Sequence, residues 1–102
     1  MFARNTSFRM KSLSMSGDFL RSFEEELLPL LRRQQGFVGE LLLANPGSLE
    51  RIAISLWESR ADAEAYNVNI YPQLVKILAK TIDGRPEIQT FDNVSLKLAS
   101  GS

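Results

Sequence analysis

The chain opens on a period-two alternation: Phe2, Thr6, Phe8 and Met10 fall on one side and Ala3, Asn5, Ser7 and Arg9 on the other, the pattern of a β-strand. Ser14 to Asp18 then supplies helix-capping residues. Phe19, Phe23, Leu27, Leu30 and Leu31 recur at helical spacing while Arg21, Glu24, Glu25 and Arg32 point elsewhere, which predicts an amphipathic helix ending near Gly36. Pro29 has no backbone N–H to donate, so a kink or local break is expected there. Phe37 to Ala44 and Arg51 to Trp57 are two further apolar runs, joined through Asn45-Pro46-Gly47-Ser48; that turn chemistry predicts an antiparallel hairpin. Ser59 offers an N-cap for a second helix, with Asp62 three residues on and Ala61, Ala63 and Ala65 favouring helix. A break is expected around Asn67-Val68-Asn69. Pro72 suits the first turn of a resumed helix whose stripe of Tyr71, Leu74, Ile77, Leu78 and Ile82 ends at Asp83-Gly84. A last strand is read from Glu87 to Leu98, where Val94, Leu96 and Leu98 alternate with Ser95, Lys97 and Ala99.

This order predicts an α+β fold of the ferredoxin-like βαββαβ kind, a four-stranded antiparallel sheet with its helices on one face. Residues 1–98 are expected to form one domain and 99–102 a disordered tail. Both sheet faces read as apolar. In the third strand Ile52, Ile54 and Leu56 occupy one face and Ala53, Ser55 and Trp57 the other; in the second, Leu41 and Leu43 oppose Val38 and Leu42. An uncovered apolar face predicts a homodimer, sheet against sheet, with Val94, Leu96 and Leu98 reaching the partner's sheet.

Composition narrows the chemistry. Twelve basic residues balance twelve acidic ones, so no net charge draws the chain to nucleic acid or an anionic membrane. No signal peptide and no apolar stretch of membrane-spanning length is read, and the cytoplasm is the expected location. There is no cysteine and no histidine, which removes disulfides, thiolate metal sites, the commonest general base and the usual heme ligand. Glu24, Glu25 and Glu26 are consecutive and fan out around a helix instead of converging. No phosphate-binding glycine loop, metal-ligand spacing or nucleophile elbow is present.

Trp57 closing the third strand, the helix start Ser59 to Ala65 and the helix resuming at Ile70-Tyr71-Pro72, in this order of elements, resemble the antibiotic biosynthesis monooxygenase (ABM) domain family of the dimeric α+β barrel superfamily. The resemblance spans Phe2 to Leu98 and implies a dimer enclosing ligand cavities. Heme-degrading members of that family carry an asparagine, a tryptophan and a histidine. Asn5 matches the first, but Tyr66 and Lys76 stand at the other two positions. Heme degradation is therefore not carried over, and no cofactor or metal is expected. The cofactor-free oxygenases of the family imply a monooxygenase acting with molecular oxygen on a small aromatic, quinol- or polyketide-like, in a cavity between the sheets, with Asn5, Trp57 and Tyr66 as catalytic candidates. The alternative is a catalytically inert dimeric module that binds a small apolar ligand or serves a structural role. For Trp57 two readings stand: it packs into the core against the following helix, or it points away from the helices with Ala53 and Ser55 and lines a pocket on the open face. Asn5 either meets that pocket or simply faces water or a partner.

Overall fold

The computed structural model describes residues 1–100. Strands β1 (Phe2–Met10), β2 (Phe37–Ala44), β3 (Glu50–Trp57) and β4 (Ile82–Phe91) form one antiparallel sheet in the order β2-β3-β1-β4. This is the ferredoxin-like arrangement expected from the sequence. The β2–β3 hairpin turns where the chemistry placed it: Gly47 takes φ 78° and the Ser48 N–H donates to the Asn45 carbonyl at 3.2 Å. Pro46 at the second position and glycine at the positive-φ third position suit such a turn.

The last strand differs from the expectation of Glu87 to Leu98. It starts at Ile82, opposite Met10, and ends at Phe91, opposite Ala3. Its register to β1 shifts between Ser7 and Arg9, where Glu87 gives way to Asp83 as partner. The chain between those partners holds Gly84 at φ 73° and Pro86. Asp83-Gly84 reads as a helix stop in the sequence, yet glycine and proline are also what a bulge inside a strand tolerates. Beyond Phe91, β1 has almost no residues left to pair with. Val94, Leu96 and Leu98 accordingly lie outside any strand, with the Val94 N–H donating to the Met1 carbonyl at 3.2 Å. Of the tail expected at 99–102, Gly101 and Ser102 lie outside the described residues.

The first helical stretch follows a 3-10 turn (Leu13–Met15) and runs as α1 (Ser16–Ser22), a π-helical turn (Phe23–Leu27) and α2 (Leu28–Arg32). The break expected at Pro29 takes this form. The Leu28 N–H bonds back to the Phe23 carbonyl, and Pro29, with no donor to place, enters the first turn of α2, where none is required. Helix α3 (Arg60–Asn69) is capped by Ser59, whose Oγ accepts the Asp62 N–H at 3.2 Å. It runs through Asn67–Asn69 and breaks at Ile70, φ −118°, before α4 (Tyr71–Leu78). Pro72 dictates the position: continuing α3 would require the N–H that proline lacks.

All helices pack on the sheet face that carries Phe2, Phe8, Met10 and Trp57. Register puts Phe2 beside Trp57 and Thr6 beside Ala53, so Ala53, Ser55 and Trp57 face the helices. The reading that turned Trp57 away from them is corrected. Alternation alone could not separate two apolar faces; volume does. The row of Ile52, Ile54, Leu56, Leu41 and Leu43 faces outward, with Leu41 50% and Leu43 47% exposed. The small Ala53 and Ser55 leave room beneath the helices.

Candidate functional site

That room is a cavity of about 250 Å³ between the sheet and the helices of one chain, not the space between two sheets that the resemblance implies. Its floor comes from the strands, with Thr6 on β1, Leu42 on β2 and Ala53 and Ser55 on β3; Phe23, Leu27 and Leu74 close it from the helical side. Exposed Lys11, Asp83 and Gly84 line one end. Into this largely apolar space project Arg4, Glu40, Ser55, Tyr66 and Tyr71.

Arg4 is 4% exposed. It donates from Nη1 to the Thr6 Oγ1 at 3.2 Å and from Nη2 to the Asn67 Oδ1 at 2.8 Å. Its guanidinium lies 4.0 Å from the Tyr71 ring centre and 5.3 Å from that of Tyr66, a cation–π arrangement on both phenols. Glu40, the one charge in the β2 run FVGELLLA, stands across the cavity. Its Oε2 is shielded and has no hydrogen-bond partner. Removal from water pushes the carboxyl up from 4.5 to about 8, against the pull of Arg4, because the charged form loses its solvation. Burial likewise raises the Tyr66 phenol; Arg4 opposes, while Glu40 and Tyr71 add to the rise. Among the described residues no three His, Cys, Asp or Glu side chains are grouped as metal ligands, and no helix is long and apolar enough to cross a membrane.

No family model matches the sequence, and no curated protein matches it significantly. Solved structures are similar throughout. A Streptomyces coelicolor monooxygenase, from the gene ActVA-Orf6 and in complex with nanaomycin D, superposes with a TM-score of 0.77 at 14% identity, covering 95% of this chain and 90% of its own. SnoaB, a cofactor-independent oxygenase of Streptomyces nogalater, gives 0.69 at 16% identity over 96% of each chain. An antibiotic biosynthesis monooxygenase-type protein from Deinococcus radiodurans gives 0.73 at 12% identity, covering 99% and 100%. The chain has the antibiotic biosynthesis monooxygenase fold.

Within the ABM fold the three sequence candidates part company. Tyr66 lines the cavity. Trp57, fully buried, stands behind it, its ring centre 4.9 Å from that of Tyr66 and 5.5 Å from that of Phe37. Its Nε1–H donates to the Ser55 Oγ at 2.9 Å, and that hydroxyl donates to the Arg4 carbonyl at 3.4 Å. The core-packing reading of Trp57 therefore describes its contacts, and its link to the cavity runs through Ser55 and Tyr66. Asn5 pairs with Ile54 on the opposite, open face, where its Oδ1 is shielded and unbonded. Sequence reasoning missed Arg4 and Glu40. Part of the signal was present: Glu40 is the one charge of β2, and Arg4 is the one charge among the alternate β1 positions that begin at Phe2, where charge is costly unless it is used.

Proposed function

We propose that this ABM-fold chain is a cofactor-independent monooxygenase acting on a small quinol- or polyketide-like aromatic bound between the sheet and the helices. The observation that carries the reading is the cavity itself: apolar walls, two phenols, and a few polar groups converging from the strands. Solved neighbours of the same fold described as a monooxygenase with a bound ligand and as a cofactor-independent oxygenase support it. The reading assigns both redox roles to the reactants. A quinol and O2 give a hydroxyquinone and water, one oxygen atom forming the new C–O bond and the other leaving with two hydrogens. The protein supplies orientation and polarity. Tyr66 and Tyr71 flank the ring, and Trp57 holds Tyr66 in place.

Oxygen uptake with a panel of quinols tests this. Turnover by the natural chain is expected, lowered about tenfold or more in Tyr66→Phe if its hydroxyl assists the ring oxygen. Uptake no faster than the uncatalysed rate with every quinol would leave the alternative, a small-ligand binding module. One observation favours that alternative: the Arg4 and Ser55 donors already have partners within the protein.

We also propose a two-fold homodimer closed through the open sheet face, where Leu41, Leu43, Ile52 and Phe91 are 36–50% exposed. An exposed apolar row of this kind is characteristic of an interface. Sedimentation equilibrium at micromolar concentration is expected to return about twice the 11.5 kDa chain mass; the single mass would end the dimer reading.

A further inference from the structure

We propose that Glu40 is the catalytic proton acceptor of the cavity, its carboxylate taking the proton of a ring hydroxyl on the bound aromatic. The inference rests on the oxygenase reading and adds to it a residue that the sequence did not single out. Three features of the structure carry it. Glu40 projects from β2 into the cavity while the other lining carboxylate, Asp83, sits exposed at its end. The Glu40 Oε2 is hidden from solvent yet bonded to nothing, and a buried acceptor without a donor is rare unless a ligand or solvent molecule completes it. Arg4, the obvious partner, is not within 4.0 Å, because its fork is held by Thr6 and Asn67 and its plane lies on Tyr71. Arg4 is thus kept from quenching the carboxylate, yet remains close enough to favour an anion in the cavity.

The groups that face Glu40 are few. Arg4 lies on β1, Tyr66 on α3 and Tyr71 on α4, and Arg32 of α2 borders a second cleft that Glu40 also lines. The guanidinium groups offer no acceptor, and burial makes the Tyr66 phenol hold its own proton more tightly. In the step, the ring O–H bond breaks, an O–H bond to the Glu40 carboxylate forms, and the electron pair stays on the ring oxygen. The resulting phenolate is the electron-rich species that O2 oxidises. Glu40 then returns its proton to the oxygen atom that departs as water, so the enzyme ends as it began. The raised carboxyl, at about 8, stands much nearer a phenol of about 10 than an ordinary carboxylate does, which shortens the uphill transfer.

Glu40→Gln keeps the shape and removes the titration. Oxygen uptake with the best quinol of the panel is measured against pH for the natural chain, Glu40→Gln and Glu40→Asp, with circular dichroism of each to establish folding. The natural rate is expected to rise with pH through an inflection near 8. Glu40→Gln should fall roughly a hundredfold or more and lose that inflection, with Glu40→Asp recovering part of both. Equal rates and pH profiles in the natural chain and a folded Glu40→Gln would overturn the Glu40 assignment while leaving the oxygenase reading intact. No turnover by any chain with any quinol would overturn both.

Discussion

Truncating Trp57 to alanine is expected to cost the fold about 3–5 kcal/mol, as large aromatic deletions in packed interiors do. The side chain has no exposed surface and is shared by everything around it. Phe2 and Phe37 both lie opposite it in the sheet, and Tyr66 packs on it from α3. Removing the ring opens a void that backbone on both sides cannot close, and it strips the Ser55 hydroxyl of a donor. Trp57→Phe should cost less than half as much, because most of the volume remains. Urea unfolding followed by far-ultraviolet circular dichroism checks both; fluorescence cannot, since the chain has only this tryptophan. A loss below about 1 kcal/mol for the alanine variant would mean that the aromatic cluster repacks.

The second large effect concerns pH. The Glu40 carboxyl ionises near 4.5 in an unfolded chain but at about 8 in the folded one. Between those values the folded state holds a proton that the unfolded state has released. Stability from this group is thus fully present below 4.5, declines as pH rises, and has gone by the time pH passes 8. The difference is on the order of a few kcal/mol at most, at about 1.4 kcal/mol for each pH unit of separation. Glu40→Gln should therefore flatten the stability profile across that window and exceed the natural chain in urea resistance above pH 8. Parallel profiles for the two chains would show the carboxylate finding solvation that the closed cavity does not display.

Much of the architecture could be read from the chain because it depends on local chemistry. Asn45-Pro46-Gly47-Ser48 admits few conformations, Ser59 and Asp62 close a helix start together, and Pro29 and Pro72 withhold donors wherever they stand. What escaped was set by distant contacts. The face that Trp57 occupies depends on where the helices settle, and Ile52, Ile54 and Leu56 look more like an interior row than Ala53 and Ser55 do. The family resemblance groups Asn5 with Trp57 and Tyr66, although only Tyr66 lines the cavity. Glu40, a single charge in the apolar β2, and Arg4, one polar residue among several in β1, carry no visible meaning until their neighbours on other strands are known. The end of β4 was misplaced for a similar reason: alternation in Val94, Leu96 and Leu98 was visible, but the length of its partner β1 was what limited the strand.

The π-helical turn at Phe23–Leu27 resolves a mismatch of periods. Phe19, Phe23, Leu27 and Leu31 are all buried, spaced by four residues each time. In an unbroken α-helix each such step overshoots a full turn by about 40°, and the last of the four would be carried about a third of the way round the cylinder. The wider turn unwinds that drift, so one line of side chains stays over the cavity along the whole stretch. The solvent side of the same turn holds Glu24, Glu25 and Glu26, exposed and without ion-pair partners among the described residues. A wide turn of this sort equals an α-helix carrying one surplus residue. The glutamate triplet is thus a length polymorphism waiting in the sequence: a relative with two acidic residues there would have an ordinary helix, a rotated Phe19 and a cavity of different outline, with no change to any residue that lines it.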